Sequence, residues 1–198
     1  MKRVIKIYNS MKKTYSLLSF CVLLCVIGCT KKKPPIASGT AGELTWIISA
    51  DGTLTISGTG AMPNYRTPSW YEYRDKITIV IIDNKVSSIC NNAFSGCTGL
   101  MSVTIPNSVK SIGNSVFPQC TALTSVTIPN SVISIGDWAF FGCTGLTEII
   151  NQREIPQTIS NVFNYVTKTE CTLFVPAASI ETYRVADGWK DFENIMAI

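Results

Sequence analysis

The sequence contains no histidine, and only 15% of its 198 residues are charged. An average soluble domain carries roughly 25%. Without an imidazole there is no Ser-His-Asp or Cys-His nucleophile. HExxH proteases, His-bearing zinc sites and proximal-histidine haem are excluded for the same reason. No Cys-x-x-Cys pair occurs. Between Val86 and Thr147 only Lys110 and Asp137 are charged. That stretch therefore cannot supply the two facing carboxylates of a glycosidase. These absences leave no catalytic residue, no metal ligand and no cofactor site to nominate, and the chain reads as non-enzymatic. A hydrophobic content of 46% argues against a disordered chain.

Long apolar runs are also missing. The uncharged stretch from Tyr15 to Ile27 has 13 residues, whereas spanning a bilayer takes about 20. Lys2, Arg3, Lys6, Lys12 and Lys13 precede it with no acid among them. A basic segment followed by a short apolar one reads as a secretory signal peptide over residues 1–28; Met11 would serve as a start equally well. Residues 29–198 hold 12 basic and 13 acidic residues, a net of −1, and −4 without Lys31, Lys32 and Lys33. The formal +4 of the whole chain thus belongs to its leader. A mildly acidic remainder lacks the basic footprint of a nucleic-acid binder.

Val26-Ile27-Gly28-Cys29 resembles a bacterial lipobox. The resemblance implies cleavage before Cys29, lipidation of that residue and a membrane anchor. Residues 29–40 then read as a tether, rich in Lys, Pro, Ser and Gly.

What the sequence has in abundance is a 23-residue period. Cys97, Cys120 and Cys143 keep it, as do Phe94, Phe117, Phe140 and Phe163. Val80, Val103, Val126 and Ile149 form another series. Val86, Val109, Val132 and Ile155 form a third, and Ile89, Ile112 and Ile135 a fourth. Residues 98–120 and 121–143 match at 15 of 23 positions. Within each unit a short alternating strand such as Ser102-Val103-Thr104 precedes a proline that cannot donate to a ladder. A second extended segment follows (Val109 to Ile112), then a glycine corner and a loop or single helical turn with its Phe inward. One such unit cannot bury its own apolar face, but stacked units can.

The run Cys120-Thr-Ala-Leu123-Thr-Ser-Val126-Thr-Ile128-Pro129-Asn-Ser-Val132-Ile-Ser-Ile135-Gly136-Asp-Trp-Ala139-Phe140 resembles the BspA-like bacterial leucine-rich repeats. The resemblance implies a β-rich leucine-rich-repeat solenoid, right-handed, with short parallel strands, over residues 77–176. Residues 41–76 are expected to form an N-terminal β-hairpin cap, because Asp51-Gly52 separates two alternating runs. Residues 177–198 form the C-terminal cap. A short helix is expected from Ala177 to Arg184, with Trp189, Phe192, Ile195 and Ile198 folding over the open end.

Two surfaces are candidates for ligand contact. The outward strand positions Ile79, Ile81, Ser102, Thr104, Ser125, Thr127, Glu148 and Ile150 would form a nearly uncharged ladder. Trp70, Tyr71 and Tyr73 could form an aromatic platform, or could seal the cap. Cys97, Cys120 and Cys143 read as small buried hydrophobes. Cys90 and Cys171 depart from that ladder and could pair or react. The family resemblance implies a lipid-anchored cell-envelope protein, on the outer membrane, that binds a protein or glycan ligand. The alternative is a lipoprotein facing the periplasm and holding a partner of the same cell. Surface-export signals of some such lipoproteins place acids just after the lipidated cysteine, where this chain has three lysines.

Overall fold

A computed structural model describes residues 33–198. The leader and Cys29 lie outside the described residues. The runs flanking Asp51-Gly52 alternate apolar and polar residues, so each buries one face. They form β2 (Leu44–Ile48) and β3 (Thr53–Ser57), antiparallel, with Trp46 opposite Ile56 and Ile48 opposite Leu54. Asp51 holds the turn. Its Oδ1 accepts hydrogen bonds from the Thr53 N–H at 3.0 Å and the Ser49 hydroxyl at 2.8 Å. A further strand, β1 (Ala37–Ala41), pairs antiparallel with β2. The segment expected to be tether up to residue 40 therefore enters the sheet at Ala37. Ser38-Gly39-Thr40 has the composition of a linker, but Gly39 has a packing role. A Cβ there would lie 2.7 Å from the Trp46 ring.

After β4 (Gly60–Ala61) and a 3₁₀ turn over Tyr71–Lys76 the period sets in. One wall of the coil carries β5 (Ile79–Ile82) and β7 (Ser102–Thr104) in one sheet and β9 (Ser125–Ile128), β11 (Glu148–Asn151) and β12 (Thr172–Val175) in a second, with no ladder between β7 and β9. The other wall is β6 (Val86–Ile89), β8 (Ser111–Ile112) and β10 (Ser134–Ile135), with β4 at its edge. Pairing within the repeats is parallel. Val80 stands opposite Val103, and Ile149 opposite both Val126 and Leu173. β3 joins β5 in parallel, so the hairpin continues the first wall.

A loop side closes each turn. It carries two left-handed backbone positions that repeat every 23 residues: Asn92, Ser115, Trp138 and Asn161, then Gly96, Gln119, Gly142 and Tyr165. Phe94, Phe117, Phe140 and Phe163 point inward from these loops. Their rings stack at 5.2, 5.1 and 5.4 Å, with Trp70 at one end and Trp189 at the other. Offset aromatic stacking adds to the area each ring buries.

The fourth turn breaks phase. Ile155, which keeps the spacing of Val86, Val109 and Val132, is 71% exposed. Gln157 is buried nearby instead, its Nε2 donating to the Val132 carbonyl at 3.0 Å and its Oε1 accepting from Asn151 at 2.8 Å. From Phe163 to Pro176 the fourth turn runs one residue longer than its predecessors, and that residue is absorbed before β12. Leu100, Leu123 and Leu146 each bond back three residues, whereas the Cys171 N–H reaches back four, to Thr167.

At the C-terminal end α1 (Ile180–Val185), entered through a 3₁₀ turn at Ala177–Ser179, is the expected short helix. Trp189, Phe192 and Ile195 are buried, but Ile198 is 63% exposed. The reason is a strand the sequence reading did not contain. β13 (Asn194–Ala197) pairs in parallel with β12, so alternate residues of this segment face out.

Candidate functional site: the face of the strand wall

Strand pairing brings the outward positions into two rows. In one, Thr53 stands opposite Ile79 and Ile79 opposite Ser102; further along, Ser125, Glu148, Thr172 and Asn194 are successive partners. In the other, Ile47, Thr55, Ile81 and Thr104 succeed one another, then Thr127, Ile150, Phe174 and Met196. Neighbouring strands lie about 4.8 Å apart, so side chains within a row are in contact range. The eight positions expected from the sequence all fall in these rows, all of them half-buried or exposed. The sequence reading missed the ends: Ile47, Thr53 and Thr55 on the hairpin, and Thr172, Phe174 and Met196 at the other end. Their signal was the same alternation, continued past the repeats.

This face has unusual chemistry for a soluble surface. Threonine and serine hydroxyls fill its centre, and isoleucines flank them, with Ile47 49% and Ile81 41% exposed. Glu148 is the one charged side chain in the two rows. Beside it Ile150, Phe174, Ala197 and Ile198 line a shallow groove of about 240 Å³. Such a face can bury apolar area and hydrogen-bond flatly without desolvating ion pairs.

Of the two readings of Trp70, Tyr71 and Tyr73, platform or cap seal, Trp70 takes the second. Trp70 is 1% exposed, stacks at 6.1 Å on Phe94 and donates from Nε1 to the Ala93 carbonyl at 2.7 Å. It starts the internal ring stack and has no face to offer. Tyr73 packs half-buried at 6.2 Å from Trp46. Of the three only Tyr71 is exposed, with the Arg74 guanidinium 4.5 Å above its ring. Tyr71 lines an open polar groove of about 370 Å³ with Arg66, Thr67, Pro68, Asn92 and Ser95.

The cysteines are chemically quiet. Cys90, Cys97, Cys120, Cys143 and Cys171 are all free and buried. Burial pushes the thiols of Cys90 and Cys171 up to about 11 and that of Cys97 up to about 12. A thiol contact with Cys143, together with burial, raises Cys120 as well. A thiol is a nucleophile only as thiolate, so neither Cys90 nor Cys171 is activated. The ladder thiols also do more than fill space. Cys120 Sγ donates to the Phe94 carbonyl at 3.4 Å, and Cys143 Sγ to the Phe117 carbonyl at 3.0 Å. Among the described residues no three His, Cys, Asp or Glu side chains could hold a metal ion, and no helix is long and apolar enough to cross a membrane.

A family model of the BspA type leucine-rich repeat region matches residues 67–185, in six copies. Solved structures share the fold. A leucine-rich repeat protein from Eubacterium ventriosum is 23% identical with a TM-score of 0.51, over 73% of this chain and 45% of its own. The pneumococcal vaccine antigen PcpA is 14% identical with a TM-score of 0.51, over 81% of this chain and 49% of its own. The chain thus spans about half the length of these two structures. No curated protein matches it.

Proposed function

Because the chain belongs to the BspA-type leucine-rich repeat family, we propose that it is a non-catalytic, lipid-anchored protein of the cell envelope whose strand wall binds a protein or glycan ligand. The observation that carries this reading is the face itself. Two rows made mainly of Ser, Thr and Ile run along the two sheets of the wall, interrupted as ladders between β7 and β9, with one charge among them. A face kept only for solubility would hold lysines and glutamates, as the caps do. Carrier repeats of this kind use extended surfaces for recognition. The lipobox-like Val26-Ile27-Gly28-Cys29 would fix the module to a membrane, since acyl chains add about 0.8 kcal/mol of anchoring per buried CH₂.

Two experiments test it. The full chain in detergent is applied to immobilised matrix proteins and glycan arrays, beside a Thr104→Lys variant. Binding that the lysine abolishes is expected, and uniformly blank arrays would overturn the reading. Metabolic labelling with palmitate should mark the wild-type chain and not Cys29→Ser. The periplasm-facing alternative draws on Lys31-Lys32-Lys33 beside the anchor. Protease shaving of intact cells separates the two, because a protected chain favours the periplasmic face.

A further inference from the structure

The loop side of the coil carries aromatic residues that the strand-wall reading does not use. Trp138 is 46% and Tyr165 73% exposed, and Phe141 meets Tyr165 edge to face at 4.9 Å. Both exposed rings sit on left-handed backbone, with φ of 58° at Trp138 and 66° at Tyr165. For bulky side chains that conformation is an outlier. Earlier turns place Asn92 and Ser115 where Trp138 stands, and Gly96, Gln119 and Gly142 where Tyr165 stands. These smaller residues suit the backbone better. The coil therefore closes its loops without aromatics, and Trp138 and Tyr165 hold costly positions while leaving their rings in solvent. Strain of that kind, kept at an exposed site, points to use rather than to packing.

We propose that Trp138, Phe141 and Tyr165 form a carbohydrate site for neutral sugars, separate from the strand wall. The C–H face of a pyranose ring is apolar and stacks on an indole or phenol, while its hydroxyls need neutral donors and acceptors. Both are at hand. Asn161, one turn on from Trp138, donates from Nδ2 to the Ser160 hydroxyl at 3.1 Å, and Asn164 donates from Nδ2 to Asn161 Oδ1 at 3.2 Å. The two amides are thus oriented before a ligand arrives, which lowers the entropic cost of binding. Gly142 contributes no side chain between Gln119 and Tyr165, the equivalent positions of the flanking turns. The turns before Tyr165 are poor in charge, with only Lys110 and Asp137 from Val86 to Thr147, but Asp137 adjoins Trp138, and Lys168 and Glu170 follow Tyr165. The choice of an uncharged sugar therefore rests on the neutral amides of Asn161 and Asn164, on the same loop as Tyr165.

Trp138 reports on its own site. The other three tryptophans, Trp46, Trp70 and Trp189, are buried. The full chain in detergent is titrated with maltohexaose, laminarihexaose, cellohexaose and chitohexaose while fluorescence and acrylamide quenching are followed. At least one of them should shift the emission to the blue and shield the exposed fluorophore. Tyr165→Asn, read by the same fluorescence, and Trp138→Asn, read by calorimetry, should each weaken that sugar by up to about tenfold, the worth of one stacking contact. Asn tolerates left-handed backbone, so both variants should melt at the wild-type temperature or above it. The proposal is overturned if none of the four sugars shields Trp138. It is overturned equally if the Asn variants bind as wild type, or if they melt lower, which would make the rings structural. Binding to the strand wall, tested with Thr104→Lys, is unaffected by either outcome.

Discussion

The Asn114 backbone N–H donates to Asn91 Oδ1 at 2.7 Å, across 23 residues. The same bond precedes and follows it: the Asn91 N–H donates to Asn64 Oδ1 at 2.9 Å and the Asp137 N–H to Asn114 Oδ1 at 3.0 Å. A polar ladder thus fastens each corner to the one before. It also explains the corner glycines. The sequence places a glycine corner at Gly113 and Gly136, yet neither has positive φ. They are required because the preceding asparagine lies against them. A Cβ on Gly136 would sit 2.6 Å from the Asn114 backbone nitrogen.

Gly136→Ala is accordingly expected to destabilise by about 1–3 kcal/mol, the range for overpacking against atoms that cannot yield. At Gly142, with φ of 67° and its nearest neighbour at 3.5 Å, alanine meets only the left-handed penalty of about 1–2 kcal/mol. Urea unfolding of both variants measures the difference, and a harmless Gly136→Ala would contradict the ladder.

The ring stack predicts a larger effect. Phe117 is fully buried between Phe94 and Phe140. Phe117→Ala leaves a cavity the neighbouring turns cannot fill, at a cost of about 3–5 kcal/mol. Each turn contacts only its neighbours, so the loss should also split the unfolding transition in two. Calorimetry shows whether one peak remains.

The period made most of the coil legible because side chains at the same phase do the same work. Val109 and Val132, or Phe117 and Phe140, are interchangeable in environment. Legibility failed where a residue's partner lies outside the period. Ser38-Gly39-Thr40 reads as a linker until Trp46 is placed over Gly39. β13 was hidden because Asn194–Ala197 follows a cap and pairs with a strand about 22 residues earlier, out of register with the repeat. Trp70 stayed open between platform and cap seal because it falls one residue short of the phenylalanine phase. The Tyr165 outlier had a signal in the sequence, since the 23-residue alignment sets it against Gly96, Gln119 and Gly142, and Trp138 against Asn92 and Ser115.

The absence of histidine and the buried thiols together set the pH profile. No side chain titrates at its ordinary value near neutrality, so stability is expected to be flat from about pH 6 to 8. The folded state holds Cys90 and Cys171 at about 11 and Cys97 at about 12, above an unfolded value near 8.5. Their contribution is whole below the unfolded value and is lost as pH rises towards the folded ones. Each thiol then removes up to about 1.4 kcal/mol per pH unit. Alkaline unfolding followed by circular dichroism should be steep above about pH 9, and Cys97→Ala should make it shallower. An unchanged slope would show that the thiols do not govern it.

The C-terminal cap is held by two aromatic donors aimed at one loop. Trp189 Nε1 donates to the Gln157 carbonyl at 2.8 Å, and the Tyr183 hydroxyl to the Arg153 carbonyl at 3.0 Å. This is the loop where the repeat loses phase, so its carbonyls have no ladder partner of the kind earlier turns supply. Trp189→Phe keeps a ring against Phe163 and Phe192 but leaves the buried Gln157 carbonyl unpaired, at about 1–3 kcal/mol. Tyr183→Phe removes the other anchor, whose hydroxyl is only part-buried, so its cost should be nearer 1 kcal/mol. Hydrogen exchange would separate a local from a global loss. Faster exchange confined to residues 153–198 is expected, because terminal turns fray before the stack opens, whereas uniform acceleration would mean that the cap holds the whole coil.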